Sequence, residues 1–238
     1  MIRRICLHLS DLIRVHPRPI AVFGSIVAVL GALLLGSAAG HAQEGGVVSS
    51  PTPTVEKPGW EYDLTASYYS FRNQDDFTLA VARADRGALH IEARYNYEAI
   101  DSGSLFAGWK FSGGKKLTWE VTPILGGVFG SMEGIAPGFE AAAAYGIADF
   151  YIEAEYVRDL EVKEDSFYYS WSELGFTPWE WLRFGLVGQR TKVYKSERDI
   201  QRGLFAQVIY RKATLGVYVF NPDDGDTRFT VFSLGVVF

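Results

Sequence analysis

The last eleven residues, RFTVFSLGVVF from Arg228 to Phe238, constrain the fold more than any other stretch. Phe232, Leu234, Val236 and Phe238 recur at every second position, which puts them on one face of an extended strand. Ser233, Gly235 and Val237 between them are small. A strand with one apolar face needs neighbours of the same kind, and the sequence supplies them. From Trp60 onward the period-two pattern returns in short segments broken by turn residues. It predicts twelve strands, at 60–72, 76–85, 87–98, 103–112, 116–130, 135–147, 149–158, 166–177, 181–192, 202–211, 213–221 and 227–238, with ten as the alternative number. No window has a helical period, and the Ala141–Ala144 run keeps the alternation through Phe139, Tyr145 and Ile147.

The N-terminus reads differently. Arg3, Arg4, Arg14 and Arg18 form a basic leader, Ile20 to Leu35 is apolar and uncharged, and Ser37 to Ala42 is rich in small residues. This is the layout of a secretory signal peptide, here expected to be cleaved after Ala42. The apolar run is shorter than the ~20 residues of a helical membrane span. Gln43 to Gly59 is rich in Gly, Ser and Pro and is expected to be a flexible periplasmic leader. Cleavage would remove the only cysteine, Cys6, and with it disulfides, thiol chemistry and a lipoprotein anchor. It would also take four of 23 basic and one of 28 acidic residues, leaving 19 against 27, a net charge of −8. Such a balance argues against a nucleic-acid partner.

Turn lengths alternate along the strand region. Connections after even strands are tight, as at Asp85–Gly87, Ser112–Lys115, Ala148–Asp149, Pro178–Glu180 and Arg211–Ala213. Those after odd strands are mostly longer and more charged, as in DLEVKED (159–165), VYKSERDIQ (193–201) and NPDDGD (221–226). With the even strand number and the terminal phenylalanine, the chain resembles bacterial outer-membrane β-barrels over Trp60 to Phe238. That resemblance implies an all-β, closed antiparallel transmembrane barrel with short periplasmic turns and long outer loops. It also implies a cell outer-membrane location, contact with outer-membrane lipid and lipopolysaccharide, and recognition of Phe238 by the barrel assembly machinery.

The faces follow from the alternation. Leu89, Ile91, Ala93, Tyr95 and Tyr97 alternate with His90, Glu92, Arg94, Asn96 and Glu98. A soluble barrel would turn the apolar set inward; a membrane barrel turns it outward. Tyr62, Tyr68, Trp109, Trp119, Tyr145, Tyr156 and Tyr210 fall on the apolar face near strand ends, the pattern of interfacial aromatic girdles. The apolar face is therefore assigned to lipid and the polar face to the lumen.

That lumen carries an excess of acids. Glu92, Arg94, Lys110, Glu120, Glu140, Glu153, Glu155 and Arg183 are the candidate pore-lining residues, joined at the short-turn end by Glu61 and Asp63. The expected function is passive passage of small polar solutes, with cations or polyols preferred to anions. An alternative is that the carboxylates pair with the bases and fill the lumen, leaving a structural or adhesion barrel that acts through its loops. A hydrolase is disfavoured, because His90 is the only histidine after residue 42 and lies near the periplasmic end. No cofactor is expected. Closure would bring together the loops bearing Asp75, Asp76, Asp223, Asp224 and Asp226, a candidate Ca²⁺ or lipopolysaccharide-bridging cluster whose spacing departs from the standard calcium loop.

Overall fold

The computed structural model describes residues 58–193 and 199–238. The signal peptide and nearly all of the leader, read above at 1–59, lie outside the described residues, as do 194–198 of one expected loop. Thirteen strands form one continuous antiparallel sheet. They are β1 Glu61–Phe71, β2 Phe77–Arg86, β3 Leu89–Tyr95, β4 Ser102–Trp109, β5 Phe111–Gly114, β6 Leu117–Gly130, β7 Gly134–Tyr145, β8 Ala148–Asp159, β9 Phe167–Trp179, β10 Leu182–Val193, β11 Asp199–Tyr210, β12 Ala213–Phe220 and β13 Phe229–Val237.

β4 and β5 are two parts of a single stave. Both pair with β6 in one unbroken register, Gly108 facing Ile124 and Phe111 facing Val121. That register sets Trp109 opposite Pro123, which has no N–H to give, so the ladder lapses there. The barrel is thus twelve-stranded, as the alternation predicts. It closes where β13 pairs with β1 from Asp63↔Val237 to Phe71↔Phe229, extended by the Phe238 amide donating to the Tyr62 carbonyl. Closure pairs the staves on both sides, as hydrocarbon requires, with the short β5 extension paired to β6 alone.

The expected boundaries hold to within a few residues. One tight turn falls at Gly146-Ile147 instead of Ala148-Asp149, because Gly146 takes the left-handed φ of +61° that the hairpin needs. In the connection after β8, Lys163–Asp165 form a single 3-10 turn. Gly126 sits opposite Phe106, whose ring lies where a Cβ would stand, 2.4 Å away. A glycine there lets the ring lie against the wall.

The faces sort as the alternation implies, except that Tyr97, expected outside, turns into the lumen, because β3 ends at Tyr95 and Asn96 takes a left-handed φ of +56°. Ile91, Leu105, Trp109, Phe111, Leu117, Trp119, Leu125, Leu204 and Leu215 are exposed on the outside, and so are all seven expected girdle aromatics. Trp60, Tyr62, Trp119, Tyr145, Trp179, Trp181 and Tyr210 gather toward the short-turn end. Inside, buried charge is interleaved with two apolar clusters. One holds Tyr69, Leu79, Val81, Val187, Phe205, Tyr218, Phe220, Phe229 and Val231; the other holds Phe106, Ile124, Val128, Met132, Ala136 and Val157.

Candidate functional site: the barrel lumen

Inward positions on β2, β3, β7 and β8 place opposite charges across the lumen. Arg83 on β2 was not among the sequence candidates, yet it reaches over to Glu140 on β7 at 3.2 Å and to its neighbour Glu92 at 3.3 Å. Arg94 on β3 donates from Nε to Glu92 at 2.9 Å and from Nη1 to Glu155 on β8 at 2.9 Å. Its Nη2 lies 3.0 Å from Glu153. The guanidinium is sandwiched by the rings of Phe106 and Tyr97, at 4.2 and 4.3 Å from their centroids. The Tyr97 hydroxyl donates to Glu153 at 2.9 Å, adding a further tie to β8. Glu98, from the β3–β4 loop, accepts from Ser104 at 2.8 Å and from Arg94 at 3.4 Å.

The sequence candidates therefore divide into three groups. Glu92, Arg94, Glu140, Glu153 and Glu155 meet in this cross-lumen network. Lys110 and Glu120 lie to one side, Lys110 Nζ being 2.8 Å from Asp85 and 3.7 Å from Glu120. Arg183 belongs to a third group on the wall built by β8 to β11, where it binds Asp149, Glu173 and Gln207. His90 is 1 % exposed, with Nδ1 2.8 Å from Asp85 and Nε2 3.5 Å from Glu92.

Beside the network is a cavity of about 470 Å³. Arg83, Tyr97, Glu140 and Glu153 form one side of it, while Trp171, Glu173, Gln207 and Tyr218 form the other. Asp63, Lys212 and Val237 mark its short-turn end, where Lys212 and Val237 are exposed. Toward the long-loop end lies a stack of inward aromatic rings. Phe220 and Phe229 are 4.6 Å apart, Phe229 and Phe71 5.0 Å, and Tyr69 and Phe77 4.6 Å. Phe220 is fully buried.

At the rim, Arg72 donates to the Gly225 carbonyl and Asn73 to that of Asp226, so the first and last long loops do meet. Three of their five aspartates, Asp76, Asp223 and Asp224, are individually engaged. Asp76 accepts from the Tyr68 hydroxyl at 2.5 Å and from the Phe71 amide at 2.8 Å, which hold its carboxyl below the usual range. Asp223 pairs with Arg202 at 2.8 Å and is lowered by it, while Asp224 is lowered chiefly by the Asp226 amide. Among the described residues, the ligating side chains that converge in a group of three are His90, Glu92 and Glu140 in the lumen.

No protein-family model matches the sequence, and no curated protein matches it. Solved structures do. The KdgM porin superposes with a TM-score of 0.53 at 12 % identity, over 74 % of this chain and 98 % of that one. The NanC porin gives 0.50 at 12 % identity, with the same coverage. KdgM in complex with disordered oligogalacturonate gives 0.51 at 11 % identity, over 75 % of this chain and 98 % of that one. The fold is that of a porin barrel. Sequence likeness at this level carries the fold and leaves the solute to be argued from the lumen itself.

Proposed function

We propose that this protein is a narrow outer-membrane channel for small hydrophilic solutes, with cations and neutral polyols favoured over anions. The observation that carries the reading is the 470 Å³ cavity, with charged side chains in its wall, inside a closed barrel of porin fold. Its lining includes Asp63, Glu140, Glu153 and Glu173 against Arg83 and Lys212, an acidic excess that repels anions. The outward apolar band suits a lipid bilayer, and the aromatic-rich short-turn end suits its periplasmic interface. Phe238, tied into the closing seam, is the residue we assign to recognition by the assembly machinery, and the charged long loops face lipopolysaccharide. The solved structures that share the fold, KdgM and NanC, are porins. The reading needs the Phe71–Phe77–Phe220–Phe229 stack to part during passage, so conductance should be small and intermittent.

A filled-lumen barrel working through its loops is the second reading, and that same aromatic stack favours it. Planar-bilayer recording of the refolded protein under a salt gradient separates the two. Cation-selective steps that weaken in Glu140→Gln support the channel. A silent bilayer with folded protein, or anion selectivity, removes it.

A further inference from the structure

His90 and Glu92 are two residues apart on β3, so both side chains enter the lumen one above the other. Glu140 reaches the same point from β7, three staves round the barrel. Asp85 bonds Lys110 Nζ through one oxygen at 2.8 Å and His90 Nδ1 through the other at 2.8 Å. A carboxylate already ion-paired to a lysine is an acceptor, so His90 places its Nδ1 proton toward Asp85 and turns Nε2 inward, where it can hold a proton or a metal.

Nε2 faces Glu92 Oε2 at 3.5 Å and Glu140 Oε2 at 4.0 Å. The partner oxygens are committed elsewhere. Glu92 Oε1 takes Arg94 and Arg83, and Glu140 Oε1 takes Arg83 and the Tyr151 hydroxyl. Three ligating atoms thus lie within 4.8 Å of one another, with Arg94 Nη2 reaching Glu92 Oε2 at 3.3 Å. Five carboxylates here, Glu92, Glu98, Glu140, Glu153 and Glu155, share the two guanidiniums of Arg83 and Arg94, so the buried charge is short of something positive. The surroundings show the same deficit independently. Glu98 Oε2 and Glu155 Oε1, both buried beside Arg94, have no partner at all, because a single guanidinium serves four carboxylates.

We infer that His90 Nε2, Glu92 Oε2 and Glu140 Oε2 form a binding site for one divalent transition-metal ion of the zinc type, bridging β3 and β7 across the lumen. One imidazole and two carboxylates suit zinc, whose bonds to them are about 2.0–2.2 Å. Bonds of that length set tetrahedral ligands roughly 3.3–3.6 Å apart. His90 and Glu92 already meet this, and Glu140, 13 % exposed, has to close on His90 Nε2 by about half an ångström. Asp85 supplies the outer carboxylate that orients metal-bound histidines. Glu140 lines the cavity, which provides both an entry path and an open fourth position. The competing occupant is a proton on Nε2.

The test is zinc competition against a chromophoric chelator at neutral pH, using the full folded barrel in detergent. One zinc per barrel is expected. His90→Gln and Glu140→Gln should each weaken binding at least tenfold, and Asp85→Asn ten- to a hundredfold. Asp223→Asn, in the loop, should change nothing. If His90→Gln fails to fold, as judged by heat-modifiable migration, Glu140→Gln decides. Folded wild type that takes up no stoichiometric zinc identifies the proton as the occupant and overturns the site. So does binding that survives either luminal change or follows Asp223. The readout is independent of conduction: a silent barrel that binds zinc keeps the site, and a conducting one that does not loses it.

Discussion

The two sides of this lumen solve the same packing problem with different chemistry. Along β3 to β8, and from Arg83 in the short-turn half of β2, the walls are tied across the interior by ions, Arg83 reaching β7 and Arg94 reaching β8. Along β1, β2 and β9 to β13 the interior is held by stacked rings and keeps a cavity. Ionic ties are directional and fix a distance, but each needs its whole set of partners. Rings fill space with little angular demand and can slide past one another. The first side is therefore the rigid frame of the barrel, and the second is the side on which the proposed channel would open.

The largest expected effect comes from attacking the frame. Arg94→Met strands Glu92, Glu98, Glu153 and Glu155 without their shared cation, and should cost about 3–5 kcal/mol or prevent refolding. Urea titration in detergent measures this, and an unchanged midpoint would mean that the cross-lumen ties hold nothing. Next is Phe229→Ala, which removes the ring between Phe220 and Phe71. It should cost about 3 kcal/mol and raise conductance. Conductance equal to wild type would place the path elsewhere. The smallest effect concerns the rim near both sides. Because its folded carboxyl is depressed, Asp76 stabilises the β1–β2 loop above the ordinary carboxylate range. That contribution is lost as pH falls through the depressed value. Protection of the Phe71 amide from exchange, taken relative to the intrinsic rate at each pH, should fall on acidification in wild type and be insensitive to it in Asp76→Asn.

How far the sequence disclosed this can be seen strand by strand. Where one face is charged and the other apolar, as in β3 with His90, Glu92 and Arg94 against Leu89, Ile91 and Ala93, the assignment of faces is direct. β2 offers no such contrast. Its inward side is Phe77, Leu79, Val81, Arg83 and Asp85, and its outward side is Thr78, Ala80, Ala82 and Ala84. Arg83 was missed there, and with it the ring stack, because an inward face was expected to be polar. The YYSF end of β1 hides Tyr69 and Phe71 in the same way, with Tyr68 on the other face. Pro123 was a readable warning that a ladder breaks. The meeting of His90 with Glu140 was not readable, since β3 and β7 are not neighbours in the sheet and only closure sets them face to face.

Closure itself has a temporal consequence. The pairing of β1 with β13 joins the two sequence ends of the barrel, whereas every other pairing joins strands adjacent in the chain. Eleven hairpin-like steps can form as their strands become available. The cross-lumen ties cannot, because they need the cylinder to curve back on itself. Loop-closure entropy is then met late and all at once, and contacts this distant in sequence form slowly. Reversal faces the same barrier: undoing the seam means giving up its ladder together with the buried ions behind it. This barrel should be hard to close and, once closed, long-lived by kinetics more than by depth of free energy.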